Sequence, residues 1–314
     1  MTRVVSCSHQ QRGAALLIAM ALMTLVATLA AGMIWQQYRA IQVEAAERSR
    51  TQSAWILSGA LDWARLILRE DARTGGPTAL SEPWATPLAE ARLSTFLALD
   101  KDNNVDAGPE AFLSGAIADL QARFNLRNVI DDGGKLVETD LASLQRLCEV
   151  AGVPSDTAQR IATGLAAARS GAAGAPLEPK TVDQLGWLGI DAASIERLRP
   201  YVELIPVRTT VNLNTADRDV IVAVSPGLDT GAAEALIQAR QRHAFKTVDA
   251  ARALLGKPDL LDPRRVGTQS NFFEVRGRLR LDDRTLEERS IVERRGLEMI
   301  PILRERVSSV AAAR

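Results

Sequence analysis

The chain has 314 residues, with Lys+Arg and Asp+Glu both at 38, so its formal net charge is zero. That balance excludes a chain-wide electrostatic drive toward nucleic acid. Two cysteines (Cys7, Cys148) and two histidines (His9, His243) are too few for a disulfide framework or a histidine-based zinc site.

Residues 14–35 read AALLIAMALMTLVATLAAGMIW, 22 positions without a charge. As a helix at ~1.5 Å per residue the run spans about 33 Å, close to the hydrocarbon thickness of a bilayer. Arg3 and Arg12 precede it, and Trp35 and Tyr38 stand at its far edge, where amphipathic rings prefer the interface. The basic flank favours a cytoplasmic N-terminus, with the bulk of the chain across the membrane. A cleaved secretory signal is the competing reading, but the run is longer than an ordinary signal core and the helical pattern does not stop with it. Ile41, Ala45, Arg48, Gln52, Ile56, Gly59, Trp63 and Leu66, with Trp55 and Ile67 beside them, recur at three- and four-residue steps. They predict one helix to about Arg69, amphipathic in its downstream half and ended by Gly75-Gly76-Pro77. A membrane helix that continues as an amphipathic one is a stalk.

The flank Gln10-Gln11-Arg12-Gly13, followed by Ala14, resembles the processing site of type IV prepilins and type II secretion pseudopilins. The resemblance implies cleavage by a prepilin peptidase between Gly13 and Ala14, and methylation of the new N-terminus at Ala14. Gly13 lacks a side chain, which permits close approach of a protease to the backbone. In that family the fifth mature position usually carries a glutamate, thought to pair with the N-terminal amine of the subunit ahead. Here that position is Ile18. A carboxylate in lipid is expensive unless paired. A subunit without one needs no subunit ahead, yet Ala14 still offers an amine to the subunit behind. That is the logic of a filament tip; the plain alternative is a simple membrane anchor.

Residues 82–106 read as a loop, and their acidic stretch Asp100–Asp106 lacks the spacing of an EF-hand. Residues 111–126 predict a strand leading into Arg123-Phe124-Asn125-Leu126. From Asp140 to Ala168 the pattern is helical, broken at Gly152-Val153-Pro154, with Ser155 expected to cap the second helix. Residues 170–176 have the composition of a flexible linker, and a further helical unit spans residues 181–202. In the run Val211-Asn-Leu-Asn-Thr-Ala-Asp217, Asn214 is expected to be an N-cap, with Asp217 near the positive end of the helix. Helices are expected at 219–224, at 231–242 (burying Ala235, Leu236 and Ala239) and at 249–255. This run resembles a helix-hairpin-helix module, which raises DNA binding through Arg240 and Arg242. Asp229, after Pro226-Gly227-Leu228, would repel phosphate, so a structural hairpin is the better reading.

From Asn271 the period becomes two: Phe273, Val275, Gly277, Leu279 and Leu281 alternate with Glu274, Arg276, Arg278 and Arg280, a half-buried strand. Residues 286–292 and 297–303 can return as further strands. Cys148 sits in an apolar helical context, and His243 is the one histidine beyond residue 13, so no nucleophile–base pair emerges and no enzyme is expected.

The order of these parts resembles the type II secretion system protein K family, the large minor pseudopilin. The matching elements are Gln10–Ala14, Ile18 in place of an acidic residue, Arg123–Leu126, the VNLNTAD run at 211–217 and Ser270-Asn-Phe-Phe273. The implied fold is α+β: a pilin-like long N-terminal helix with a small antiparallel sheet, interrupted by a large all-helical insertion of SAM-like or helix-hairpin-helix-like character. The expected segments are a prepilin leader (1–13), a transmembrane helix (14–35), stalk and first part of the pilin-like domain (36–126), inserted helical domain (127–268) and C-terminal strands (269–314). The implied role is a single-pass inner-membrane subunit, its C-terminal domain periplasmic, at the tip of the secretion pseudopilus. Implied partners are the other minor pseudopilins, the major pseudopilin and the prepilin peptidase, with no nucleic acid. A minor pilin of a type IV pilus or DNA-uptake apparatus is the alternative. No cofactor is required. Calcium follows from the resemblance alone and no metal ligands are assigned, because Gly164–Ala168 and the Gly/Ala-rich linker stand where the family carries an Asp-Trp-x-Asp stretch.

Overall fold

The computed structural model describes residues 11–94, 111–281 and 284–307. The acidic stretch Asp100–Asp106 and most of the leader lie outside them. The chain divides into two compact bodies, residues 1–56 and 57–314.

The first body is the upstream part of a single helix, α1 (Gln11–Thr74). Every side chain from Ala14 to Ala45 is exposed. The hydroxyls of Thr24 and Thr28 donate to the carbonyls of Ala21 and Leu25 at 2.9 and 2.8 Å, so the polar groups of the apolar run are satisfied within the helix. Mean hydropathy reaches 2.4 over an 18-residue window. The helix is therefore long and apolar enough to act as a single-pass membrane anchor. Beyond it, exposed ion pairs Glu44–Arg48 and Glu47–Arg50 mark a face suited to water.

The second body begins with the last turns of α1. Leu57, Leu61, Ala64 and Leu68 form its buried stripe, Leu68 fully so. The expected stripe through Gly59, Trp63 and Leu66 is instead exposed. Apolar residues occupy adjacent positions here, so two neighbouring faces satisfy the same spacing, and the sheet decides between them. Leu61, Ala64 and Leu68 pack with Trp84, Phe273, Val275, Val292 and Met299. Burying each large side chain contributes roughly 1.5–3 kcal/mol.

The sheet has five strands: β1 (Leu88–Arg92), β2 (Ala111–Asp119), β7 (Phe272–Leu281), β8 (Arg284–Arg295) and β9 (Glu298–Val307), neighbours in that order. All pairs are antiparallel. β1 corrects the expectation of a loop at 82–106: Leu88-Ala-Glu-Ala-Arg92 has weak strand propensity but finds β2 as a partner. Both edges are blunted against strand addition, β1 by irregular pairing and β9 by Pro301 beside a register shift.

Between the adjacent strands β2 and β7 the chain builds the helical lobe: α2 (Glu138–Ala151), α3 (Thr157–Ser170), α4 (Ala192–Leu198), α5 (Arg218–Val224), α6 (Thr230–Arg242) and α7 (Val248–Leu255). Two short parallel pairs, β3 (Phe124–Asn125) with β4 (Val202–Glu203) and β5 (Val211–Asn212) with β6 (Val266–Gly267), tie its passages together. Leu144, Leu147, Ile161, Leu165, Leu198, Val220 and Leu236 fill its core. In α6 the buried residues are Ala233 and Leu236 rather than Ala235, which is exposed. Ser155 does not cap α3; Asp156 holds that position without a side-chain bond.

Candidate functional site at the junction of sheet and lobe

The residues singled out by sequence fall in two places. Ala14 and Ile18 lie on the exposed apolar surface of α1, Ile18 at 60% exposure, with Gly13 in the same helix. The other motif residues converge on the junction of sheet and lobe.

Asp119, at the end of β2, is buried there. Its Oδ2 accepts from Thr215 Oγ1 at 2.6 Å, Ser270 Oγ at 2.6 Å and Asn212 Nδ2 at 3.0 Å, and its Oδ1 accepts from the Gln121 amide at 2.8 Å. Burial raises its pKa above the ordinary carboxylate range, while the hydrogen bonds from Ser270, Thr215, Gln121 and Asn212 pull the other way. Asn212 Nδ2 also faces the Thr78 carbonyl at 2.9 Å and Ser270 Oγ at 2.9 Å. Its Oδ1 accepts from the Asn214 amide at 2.9 Å.

Asn214 is not an N-cap. Asp217 holds that position before α5, without a side-chain bond. The Asn214 side chain instead bridges to Phe245, its Nδ2 donating to the Phe245 carbonyl at 3.0 Å and its Oδ1 accepting from the Phe245 backbone amide at 2.8 Å. Within the run, Val211, Leu213 and Ala216 are core, so its residues alternate between apolar packing and polar bridging. Neither role resembles a ligand site.

The other two motifs belong to the same junction. Asn125 accepts from the amides of Arg127 and Ile205 and donates to the Val207 carbonyl at 2.7 Å. Phe272 and Phe273 point to opposite faces of the sheet. Phe273 meets Trp84 edge-on at 5.4 Å, and Phe272 packs with Leu120, Ile205 and Ile291 on the lobe side. That face also holds Glu274, expected to be solvated but 2% exposed and bonded to Arg289 and Arg276. Burial alone would raise the Glu274 carboxyl; the two guanidiniums outweigh it and hold it below its ordinary range.

At the hairpin between α5 and α6 the polar side chains bond within the lobe. Asp229 accepts from the Ala232 amide at 2.7 Å, occupying the α6 N-terminus. Arg240 donates to the carbonyls of Leu213 and Ala216, both at 2.6 Å, and so acts as an internal brace. Cys148 lies in the lobe core. Among the described residues no three His, Cys, Asp or Glu side chains are grouped to hold a metal ion. Sequence spacing located the motif residues but gave no sign of Asp119 or Thr78, whose roles depend on partners brought together by the fold.

Comparison with known proteins agrees with this geometry. The family profile described as type II secretion system (T2SS), protein K, matches residues 211–268, which include the VNLNTAD run. Type II secretion system protein K of Pseudomonas aeruginosa is 29% identical over 76% of this chain and 75% of its own. Its counterpart from Pectobacterium carotovorum is 26% identical over 94% and 96%, and that from Klebsiella pneumoniae 27% over 92% and 94%. A chain in the crystal structure of the GspK–GspI–GspJ complex from the enterotoxigenic Escherichia coli type 2 secretion system superposes with a TM-score of 0.62 at 20% identity, covering 84% of this chain and 99% of that one. It shares the fold, a long N-terminal helix and antiparallel sheet interrupted by a helical region. The chain is thus similar in sequence to type II secretion system protein K over most of its length and shares the fold of the E. coli chain.

Proposed function

We propose that this chain is a minor pseudopilin that caps the tip of a type II secretion pseudopilus and contributes to protein export across the outer membrane. The observation that carries the reading is architectural: an apolar anchoring helix runs into a pilin-like sheet whose strands β2 and β7 are separated in sequence by a whole helical lobe. A lobe of that bulk is hard to repeat along a filament and is accommodated at its end. Ile18 supports the same reading, since the anchor carries no carboxylate that would require a subunit ahead.

In this proposal the chain is held in the inner membrane with its N-terminus cytoplasmic and residues beyond the anchor periplasmic. A prepilin peptidase cuts between Gly13 and Ala14, and Ala14 is methylated. The role is mechanical rather than catalytic, and the partners are other minor pseudopilins; the complex named for the E. coli relative supports that choice. Intact mass of the membrane-extracted protein tests the class. Loss of residues 1–13 plus one methyl group is expected, and an unprocessed N-terminus would overturn it. Copurification with type II secretion components, rather than with a type IV pilus, tests the assignment to this machine.

A further inference from the structure

On the lobe side of the sheet a groove of about 440 Å³ opens between β9 and the loops of the lobe, a volume in the range of ligand-binding clefts. Its floor is apolar. Ile291 of β8 and Ile302 and Leu303 of β9 form one side, and Leu204, Ile205 and Pro206, just past β4, form the other. Ile205 and Ile291 belong to the buried cluster around Phe272, against which Leu303 packs, so the floor is rigidly backed. Ile302 stays 36% exposed. Apolar surface continues at residues next in the chain to the lining: Leu177, 72% exposed, precedes Glu178, and Val207, 52% exposed, follows Pro206. Apolar side chains left to water around a groove mark an interaction surface.

The wall of the groove is cationic. Arg127, Arg169 and Lys180 line it with a single carboxylate among the described lining residues, Glu178. Arg127 donates to Glu178 Oε1 at 2.6 Å with its own side chain 11% exposed, so this pair is internal and fixes the loop after α3. Arg169 reaches the same oxygen only at 3.8 Å, with its side chain 35% exposed. Lys180 is exposed and forms no ion pair among the described residues. Two cations are therefore left over beside an apolar floor. Low-dielectric walls focus the field of such a cleft, and a guanidinium matches a carboxylate in both charge and shape.

We propose that this groove docks a segment of a partner protein in which a carboxylate side chain stands beside an aliphatic one. The aliphatic group covers Ile302 and Leu303, and the carboxylate meets Arg169 and Lys180 while Glu178 stays with Arg127. Pro301 and the adjacent register shift interrupt the ladder of β9, so the segment is held by side chains rather than added as a strand. Leu177 and Val207 extend the apolar surface beyond what a small carboxylate covers, which favours a peptide over a fatty acid. The inference goes beyond the tip assignment and does not depend on it.

A random displayed peptide library, selected on the full-length protein in phosphatidylcholine nanodiscs after removal of binders to empty discs, tests it. Enriched sequences are expected to carry Asp or Glu next to Leu, Ile or Val. A fluorescein-labelled peptide from that set is expected to bind about tenfold more weakly, by anisotropy, to the double variant Arg169→Glu, Lys180→Glu and to Ile302→Ser. All three substitutions are at partly or fully exposed positions, and an unchanged urea midpoint verifies folding. Absence of enrichment, enriched peptides without carboxylates, or equal affinity for the folded variants overturns the proposal. Labelled decanoate bound in the groove where no peptide is enriched assigns it to a lipid carboxylate and overturns the peptide assignment.

Discussion

Replacing Asn212 by alanine removes a polar bridge between the helical lobe, the loop at Thr78 and the sheet. The side chain is fully buried. The substitution leaves the Asn214 amide without its partner, takes one donor from the Asp119 carboxylate and one from the Thr78 carbonyl. An unsatisfied buried group costs about 1–3 kcal/mol, and a hydrogen bond to a charged group contributes about 1.5–3 kcal/mol. Asp119 keeps Thr215, Ser270 and the Gln121 amide, and water entering the vacated space restores part of the loss. The net destabilisation is therefore about 3–5 kcal/mol, a shift on the order of 10 °C in thermal midpoint for a body of this size. Urea unfolding of the full-length protein in micelles, followed by tryptophan fluorescence, measures it. Trp84 lies against Phe273 and reports on the sheet. Thr215→Val removes a single O–H donor to Asp119 at nearly constant volume and is expected to cost about 2 kcal/mol. A loss below about 1 kcal/mol for Asn212→Ala would refute the assignment of the VNLNTAD run as the junction's structural bridge.

Two further outcomes follow from local geometry. A Cβ added at Gly115 would meet the Arg276 carbonyl at 2.8 Å, a backbone atom that cannot swing aside. Gly115→Ala is expected to cost about 1–3 kcal/mol and to raise amide exchange along β2 and β7, and an unchanged urea midpoint would count against the close approach of those strands. Burial pushes the Cys148 thiol up to about 12, so at neutral pH it is expected to resist iodoacetamide in the folded protein and to react once urea unfolds the lobe; rapid labelling of the native protein would contradict its core position.

Much of this architecture was legible in the residues. An uncharged run of bilayer length requires a helix in lipid, because no other local conformation satisfies its backbone there. The alternation of Phe273, Val275 and Leu279 requires a strand with one apolar face. The distinctive motifs at 123–126, 211–217 and 270–273 marked the positions that matter, though not what they do.

What those motifs do was decided in three dimensions. Asn214 looked like a helix cap, since the nearest orphan amides in sequence were those of the following helix, yet it bonds Phe245, 31 positions away. Asp119 and Ser270 lie 151 positions apart and share a hydrogen bond of 2.6 Å. Arg240 looked available to phosphate until two carbonyls of the preceding turn claimed it. On α1, adjacent apolar positions left the buried face ambiguous by one residue, and packing on the sheet selected Leu57, Leu61, Ala64 and Leu68. Hydrophobic period and chain composition act locally, so the sequence by itself determined the anchor, the helices and the main strands. The partners of buried polar groups are set by which segments the fold brings together, and only the tertiary structure could supply those, because a buried hydrogen bond depends on distance in space and not on separation along the chain.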